Sequence, residues 1–92
     1  MNEKAAASCR AALRKMFKVN YELKQIVPEE MGALYRDAQE AWFSFMYAEL
    51  KIVEKSWEGG SILPLMVSAR REELIKSRTR YLKSILKELK SE

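Results

Sequence analysis

The chain has 92 residues, of which 48% are hydrophobic and 33% are charged, and this composition is typical of one small folded domain. It contains one cysteine and no histidine, which excludes an intrachain disulfide, a zinc site built on Cys/His clusters and His-dependent acid–base catalysis. With only three glycines and two prolines, it lacks the turn residues that an all-β domain needs. We therefore expect a single all-α domain over residues 1–92.

The net charge of +4 is distributed unevenly along the chain. Residues 1–27 contain six Lys/Arg and two acidic residues. Residues 28–58 contain three Lys/Arg and seven acidic residues, and residues 59–92 contain eight Lys/Arg and four acidic residues. An acidic middle segment between two basic segments predicts that much of the charge is neutralised inside the fold. A nucleic-acid partner is therefore less expected than the positive net charge alone suggests.

The first predicted helix runs from about Asn2 or Glu3 to about Ile26. Its apolar residues recur in steps of three and four, which is typical of one face of an amphipathic helix. Pro28 ends this helix, because the residue before a proline is driven away from helical torsions. The predicted inward positions are Ala5, Cys9, Ala12, Met16, Val19, Leu23 and Ile26.

The second predicted helix begins at Pro28, with Glu29 and Glu30 in the first turn, where the helix dipole favours negative charge. It carries two neighbouring apolar stripes. A helix that is apolar around most of its circumference packs on more than one side, so we predict a three-helix antiparallel bundle with the second helix central. The first stripe is Met31, Leu34, Ala38, Ala41, Phe45, Ala48 and Ile52; the second is Tyr35, Trp42, Met46, Leu50, Val53 and Trp57.

Gly59 and Gly60 end the second helix, since glycine readily adopts the left-handed backbone of a helix C-terminus. Ser61 can cap the third helix, and Pro64 is compatible with its first turn. This helix is predicted from about Ile62 to about Leu89. Its expected inward residues are Leu65, Met66, Ala69, Leu74, Tyr81, Leu82, Ile85 and Leu89.

Three short motifs occur in a recognisable order over residues 34–86. They are Ala38-Gln39-Glu40-Ala41-Trp42, then Glu58-Gly59-Gly60-Ser61 with Pro64, and finally Arg78-Thr79 with Leu82. This arrangement resembles the LprI-like domain, a family named for a lysozyme inhibitor. The resemblance implies a helical domain that binds a lysozyme without catalysis, with structural roles for the motif residues Trp42, Gly59, Gly60, Ser61, Pro64 and Arg78. Leu50 and Arg70 occupy the places of two family cysteines.

Several features allow both a structural and a functional interpretation. Trp42 and Trp57 are either aromatic anchors of a binding surface or core residues, and their stripe favours the core. The Gly59-Gly60-Ser61 turn is either an anion site or a plain connection, and no phosphate-loop pattern surrounds it. Arg78 is expected to reach an acid of the second helix. The candidate acids are Asp37, Glu40 and Glu49.

The function that this sequence favours is a non-enzymatic protein-binding domain without a cofactor or metal. The expected partner contacts lie near the second turn, at Glu54, Trp57, Glu58, Ser61 and Leu63. Two alternatives stay open: a homo-oligomer formed through the apolar girdle, and nucleic-acid binding through cations of the third helix, namely Arg70, Arg71, Lys76, Arg80 and Lys83. No apolar run is long enough to span a membrane. The expected location is the cytoplasm if Met1 is the native start, and the periplasm or the exterior if an export signal was removed.

Overall fold

The computed structural model describes residues 3–91, which form three long α-helices and no strand. The helices are α1 (Glu3–Ile26), α2 (Glu29–Ser56) and α3 (Leu63–Ser91). This confirms the predicted all-α three-helix bundle. The bounds also follow the prediction closely, although the alternative start of α1 at Asn2 lies outside the described residues.

Contacts between helices define their directions. Ser8 and Glu22 of α1 contact Glu72 and Lys90 of α3, so residue numbers rise together and these two helices are parallel. Gln39 and Glu49 of α2 instead contact Arg78 and Arg70 of α3, so α2 is antiparallel to α3. The topology is therefore up-down-up, as short connections between successive helices require.

The core lies mainly between α1 and α3. The largest completely buried side chains are Met16, Leu23, Ile75 and Leu82, and all four belong to these two helices. The heptad-like spacing of Cys9, Ala12, Met16, Val19 and Leu23 buries one face of α1, as predicted. Ile26, the last predicted inward position of this helix, is exposed instead. In α3, however, Leu65, Ala69 and Tyr81 are exposed although their spacing predicts an inward position.

The central position of the bundle belongs to α3 rather than to α2. The backbone of α3 packs against both other helices, and most extensively against α1, whereas α1 and α2 approach each other closely at few points. The Cα atoms extend over 50 × 23 × 14 Å, so the bundle is flattened with α3 in the middle. The expectation of a central second helix is therefore wrong, because only one of the two apolar stripes of α2 packs into the core.

Two short connections set this arrangement. Pro28 directly precedes α2 with φ −56° and ψ 147°, an extended conformation, and its carbonyl accepts hydrogen bonds from the N–H groups of Met31 and Gly32. After α2, Gly59 adopts φ 84°, in the left-handed region that glycine tolerates. Gly60 donates a backbone hydrogen bond to Trp57, and α3 begins at Leu63 with Pro64 in its first turn.

Candidate functional site

The turn between α2 and α3 brings together three of the five residues predicted to contact a partner. Glu54, Glu58 and Leu63 line a shallow, open groove. Trp57 is 39% exposed and Ser61 is also exposed at this end, but neither lines the groove. The groove is also lined by three cations, Lys51, Lys55 and Arg71. Lys55 forms an ion pair with Glu58, with 2.8 Å between Nζ and Oε2. Three cations and two acids leave the groove with a small net positive charge, so we expect a contact here to depend on shape and apolar surface more than on charge.

Arg78 takes part in a polar network that links the three helices. Its Nε donates to Gln39 Oε1 at 3.1 Å, and Gln39 Nε2 in turn lies 3.7 Å from the sulfur of Met16. The guanidinium carbon lies 5.3 Å from the centre of the Tyr81 ring, within the range of a cation–π contact. Burial lowers the pKa of Arg78. The network fixes the register of the helices, and the predicted partner acids Asp37, Glu40 and Glu49 do not contribute to it.

An ion pair between an arginine of α3 and an acid of α2 does form, but at Arg70 instead of Arg78. Arg70 donates to Glu49 at 2.9 Å across the α2–α3 interface and to Glu73 at 2.6 Å within α3. These hydrogen bonds, led by the one to Glu49, raise the pKa of Arg70. Leu50, beside Glu49, is buried in the core. At the two positions that the LprI-like resemblance assigns to cysteines, this chain therefore has a packed leucine and an ion-paired arginine.

Trp42 has the partly buried position that its stripe predicts. Its ring packs edge-on against Phe43 with centroids 5.1 Å apart, and Phe43 lies 6.3 Å from Phe17 of α1. The aromatic cluster fills the gap between α1 and α2, where the backbones are far apart. Trp42 therefore packs against the core of its own bundle.

Cys9 is buried, and its thiol donates to the carbonyl oxygen of Ser68 at 3.0 Å. Burial is the main reason that the pKa of this thiol is raised, and the nearby Glu72 contributes in the same direction. Arg71 and Lys76 act in the opposite direction, but burial outweighs them, so the cysteine holds its proton at neutral pH and is a poor nucleophile. Within residues 3–91 no cluster of His, Cys, Asp or Glu could hold a metal ion.

A continuous apolar stripe on α2 is exposed, although its spacing is also compatible with a position in the core. Its larger members have substantial exposed fractions: Leu34 59%, Phe45 50% and Ile52 61%. Met31 and the three alanines of the same stripe are exposed as well. The second stripe of α2 packs instead, with Met46 and Leu50 buried. We call the exposed set, Met31, Leu34, Ala38, Ala41, Phe45, Ala48 and Ile52, the α2 stripe.

Cations follow one exposed face of α3 in steps of four and three residues. Lys76 and Lys90 of this row approach Glu72 and Glu22 at 3.3 and 3.9 Å, whereas the intervening cations form no ion pair within residues 3–91. Lys15 of α1 lies beside the row in a shallow groove. The predicted phosphate-binding cluster is therefore divided, because Arg70 and Arg71 lie on other faces. We call the row, which consists of Lys76, Arg80, Lys83, Lys87 and Lys90, the basic face.

Comparison of the chain with family models, curated proteins and solved structures finds no match. In the part of the chain from residue 3 to residue 91, no helix is long and apolar enough to cross a membrane.

Proposed function

We propose that this protein is a non-enzymatic protein-binding domain. The observation that supports this proposal best is the α2 stripe, which exposes a row of apolar side chains over about 31 Å of helix, at 1.5 Å per residue. Scattered exposed hydrophobic residues are ordinary, but a contiguous row of them is typical of a surface that another protein covers. A helix face of this kind binds partners through anchors that repeat every three and four residues.

The test compares proteins captured by the immobilised wild type with those captured by the variant Leu34→Ser/Phe45→Ser. Tyr21→Ser is a matched control, since Tyr21 is 67% exposed on α1, away from the stripe. We expect proteins that the wild type and the control retain and the stripe variant loses. Identical sets of captured proteins for all three forms would contradict binding of a different protein through the α2 stripe.

A lysozyme is the specific partner that the resemblance to LprI-like domains suggests. We place its contact at the α2–α3 turn, where Trp57 and Ile62 present apolar surface beside the groove that Leu63 lines. A small rigid bundle inhibits an enzyme by covering its cleft and needs no chemistry of its own.

A turbidity assay of bacterial lysis tests this partner. We expect equimolar protein to slow lysis, and Trp57→Ser to remove the effect while Tyr21→Ser retains it. Lysis at an unchanged rate with several lysozyme types would remove lysozyme as the partner, but it would leave the α2 stripe and its test unaffected.

A second candidate function is nucleic-acid binding, and the basic face is the observation that favours it. Its cations extend over about 21 Å at 1.5 Å per residue, and they are regularly spaced beside Lys15. Such a row is suited to the phosphates of a nucleic-acid backbone. Aromatic side chains that stack on bases are scarce here, because Tyr81 is already engaged by Arg78.

A mobility-shift titration with a duplex of about 20 base pairs at about 50 and about 200 mM salt tests this candidate. Each neutralised phosphate contributes about −0.9 to the slope of log K against log salt. We expect Arg80→Glu/Lys83→Glu to abolish the shift, whereas Arg36→Glu/Lys55→Glu, which makes the same charge change on α2, preserves it. The candidate fails if the two variants bind alike.

A further inference from the structure

We infer that the α2 stripe binds the same stripe of a second copy of this chain, in antiparallel orientation. This inference rests on the proposed protein-binding function and names the partner. The α2 stripe recurs in strictly alternating steps of three and four residues from Met31 to Ile52. That spacing is the heptad pattern by which two helices pack along a shared seam. The other side of α2 already packs against its own bundle, so the stripe is the free side of the helix.

The orientation follows from the charges that flank the stripe. Along its polar edge, successive flanking positions hold Glu30, Asp37, Ser44 and Lys51, all exposed. In a parallel pair these positions would face Tyr35, Trp42, Glu49 and Ser56 of the second copy, none of which has the opposite charge. In an antiparallel pair the acidic start of each stripe meets the basic end of the other. Antiparallel pairing is therefore the electrostatically complementary choice.

The register follows from the same charges and from side-chain size. When Met31 lies opposite Ala48 of the second copy, Glu30 lies opposite Lys51 of the second copy, and two-fold symmetry forms this ion pair twice. Leu34 then faces Phe45, and Ala38 faces Ala41. The small Ala38 and Ala41 meet at the centre, where the two helices approach most closely. The larger Leu34 and Phe45 pack on either side of this centre, where more space separates the helices.

The other edge of the stripe supports this register. Tyr35 and Trp42 border the stripe on the side of the core, and both are only partly buried in the monomer. With Met31 opposite Ala48, Tyr35 of each copy lies opposite Trp42 of the other. These two aromatic pairs extend the apolar contact toward the body of each bundle.

The size of the stripe sets the expected affinity. The part of the stripe that pairs in this register, from Met31 to Ala48, is about 26 Å long. With a width of about 10 Å it covers roughly 260 Å² on each copy, which is below the about 600 Å² per partner of a standard stable interface. The pair is therefore expected to form with a dissociation constant on the order of 100 µM, and to dissociate on dilution.

Sedimentation of the purified full chain from about 1 to about 300 µM tests the inference. We expect a monomer at the low end and a dimer at the high end. Lys51→Glu places a carboxylate of one copy against Glu30 of the other and should weaken dimerisation at least about tenfold. Glu30→Lys/Lys51→Glu restores the opposite charges and should recover most of the affinity. Lys18→Glu, the same charge change on α1, should have no effect.

The orientation is measured separately with a spin label at Lys55→Cys in a Cys9→Ala background. An antiparallel pair in this register separates the two labels by about 46 Å along the helix axis, whereas a parallel pair would hold them within about 15 Å. A short distance, or a failure of the charge swap to restore dimerisation after Lys51→Glu, would overturn the antiparallel pairing. A strict monomer at about 300 µM would overturn self-association altogether. If the chain is a strict monomer but the α2 stripe still determines which other proteins are captured, the broader protein-binding proposal stands. If neither is observed, both the self-association and the protein-binding proposal fail.

Discussion

Two leucine-to-alanine substitutions test which apolar surface of this bundle is the core. Leu82 of α3 is 1% exposed and Leu34 of α2 is 59% exposed, although both occupy positions predicted to face inward. The substitution is chemically identical at the two sites, and both lie within long helices. Any difference between the variants therefore reports burial, because the change in helix propensity cancels.

The expected losses of stability differ by a factor of about three. Removing three buried carbons at Leu82 costs about 2.4 kcal/mol at about 0.8 kcal/mol per group, and the remaining cavity raises this to about 3 kcal/mol. At Leu34 less than half of the side chain leaves water, so the loss is about 1 kcal/mol or less. A domain of this size has a total unfolding free energy of about 5–14 kcal/mol, so the Leu82 loss is a large share of it.

Urea unfolding followed by circular dichroism measures both losses. At about 2 µM protein self-pairing does not contribute, and with a slope of about 1.5 kcal/mol per molar urea the Leu82→Ala midpoint should fall by about 2 M. Leu34→Ala should shift it by less than about 0.7 M. Equal shifts for the two variants would refute the exposed position of the α2 stripe.

Three further predictions concern the α2–α3 turn, the cysteine and the α1–α3 contact. Gly59→Ala should lower the unfolding free energy by about 1 kcal/mol, because the Gly59 φ of 84° is unfavourable for a residue with a Cβ. Gly32→Ala should raise the unfolding free energy by a similar amount, because Gly32 lies within α2 with open space for a Cβ and alanine favours a helix more than glycine does. Thermal unfolding of the two variants checks this contrast. At about pH 8, Cys9 should react with a thiol reagent at least about 100-fold more slowly in the folded protein than in urea, since burial raises the pKa of its thiol. Equal rates in the two states would show that the helices around Cys9 separate readily in the folded protein. The pKa of Glu72 is lowered, first by the hydrogen bond from Ser8 and then by Lys76, so its contribution to stability is complete above about pH 5 and is lost as pH falls through the lowered folded pKa. The difference in unfolding free energy between wild type and Glu72→Gln should therefore shrink in that pH window. A difference that grows on acidification would contradict the assignment.

The sequence predicted the elements of this fold better than their arrangement. Pro28 and the Gly59-Gly60 pair mark the two interruptions because proline and glycine restrict or free the backbone locally, whatever the tertiary structure. The buried face of α1 was also predictable, since that helix has one narrow apolar stripe and only one way to bury it. The hydrogen-bond partner of Arg78 was not predictable from the sequence. Gln39, Asp37 and Glu40 lie within a few residues of one another on α2, so spacing alone does not select one of them.

Local chain geometry and tertiary packing account for different features of α2. Its residue pattern specifies a helix with two adjacent apolar stripes, because periodicity is a property of local chain geometry. Packing against the other helices then buries the stripe with Met46 and Leu50 and leaves the stripe with Leu34 and Phe45 in contact with solvent. Both stripes satisfy the helical period, but α1 and α3 pack so fully against each other that they offer α2 a single side. The competition among helices for contact area leaves the α2 stripe free, and no residue of α2 determines that outcome by itself.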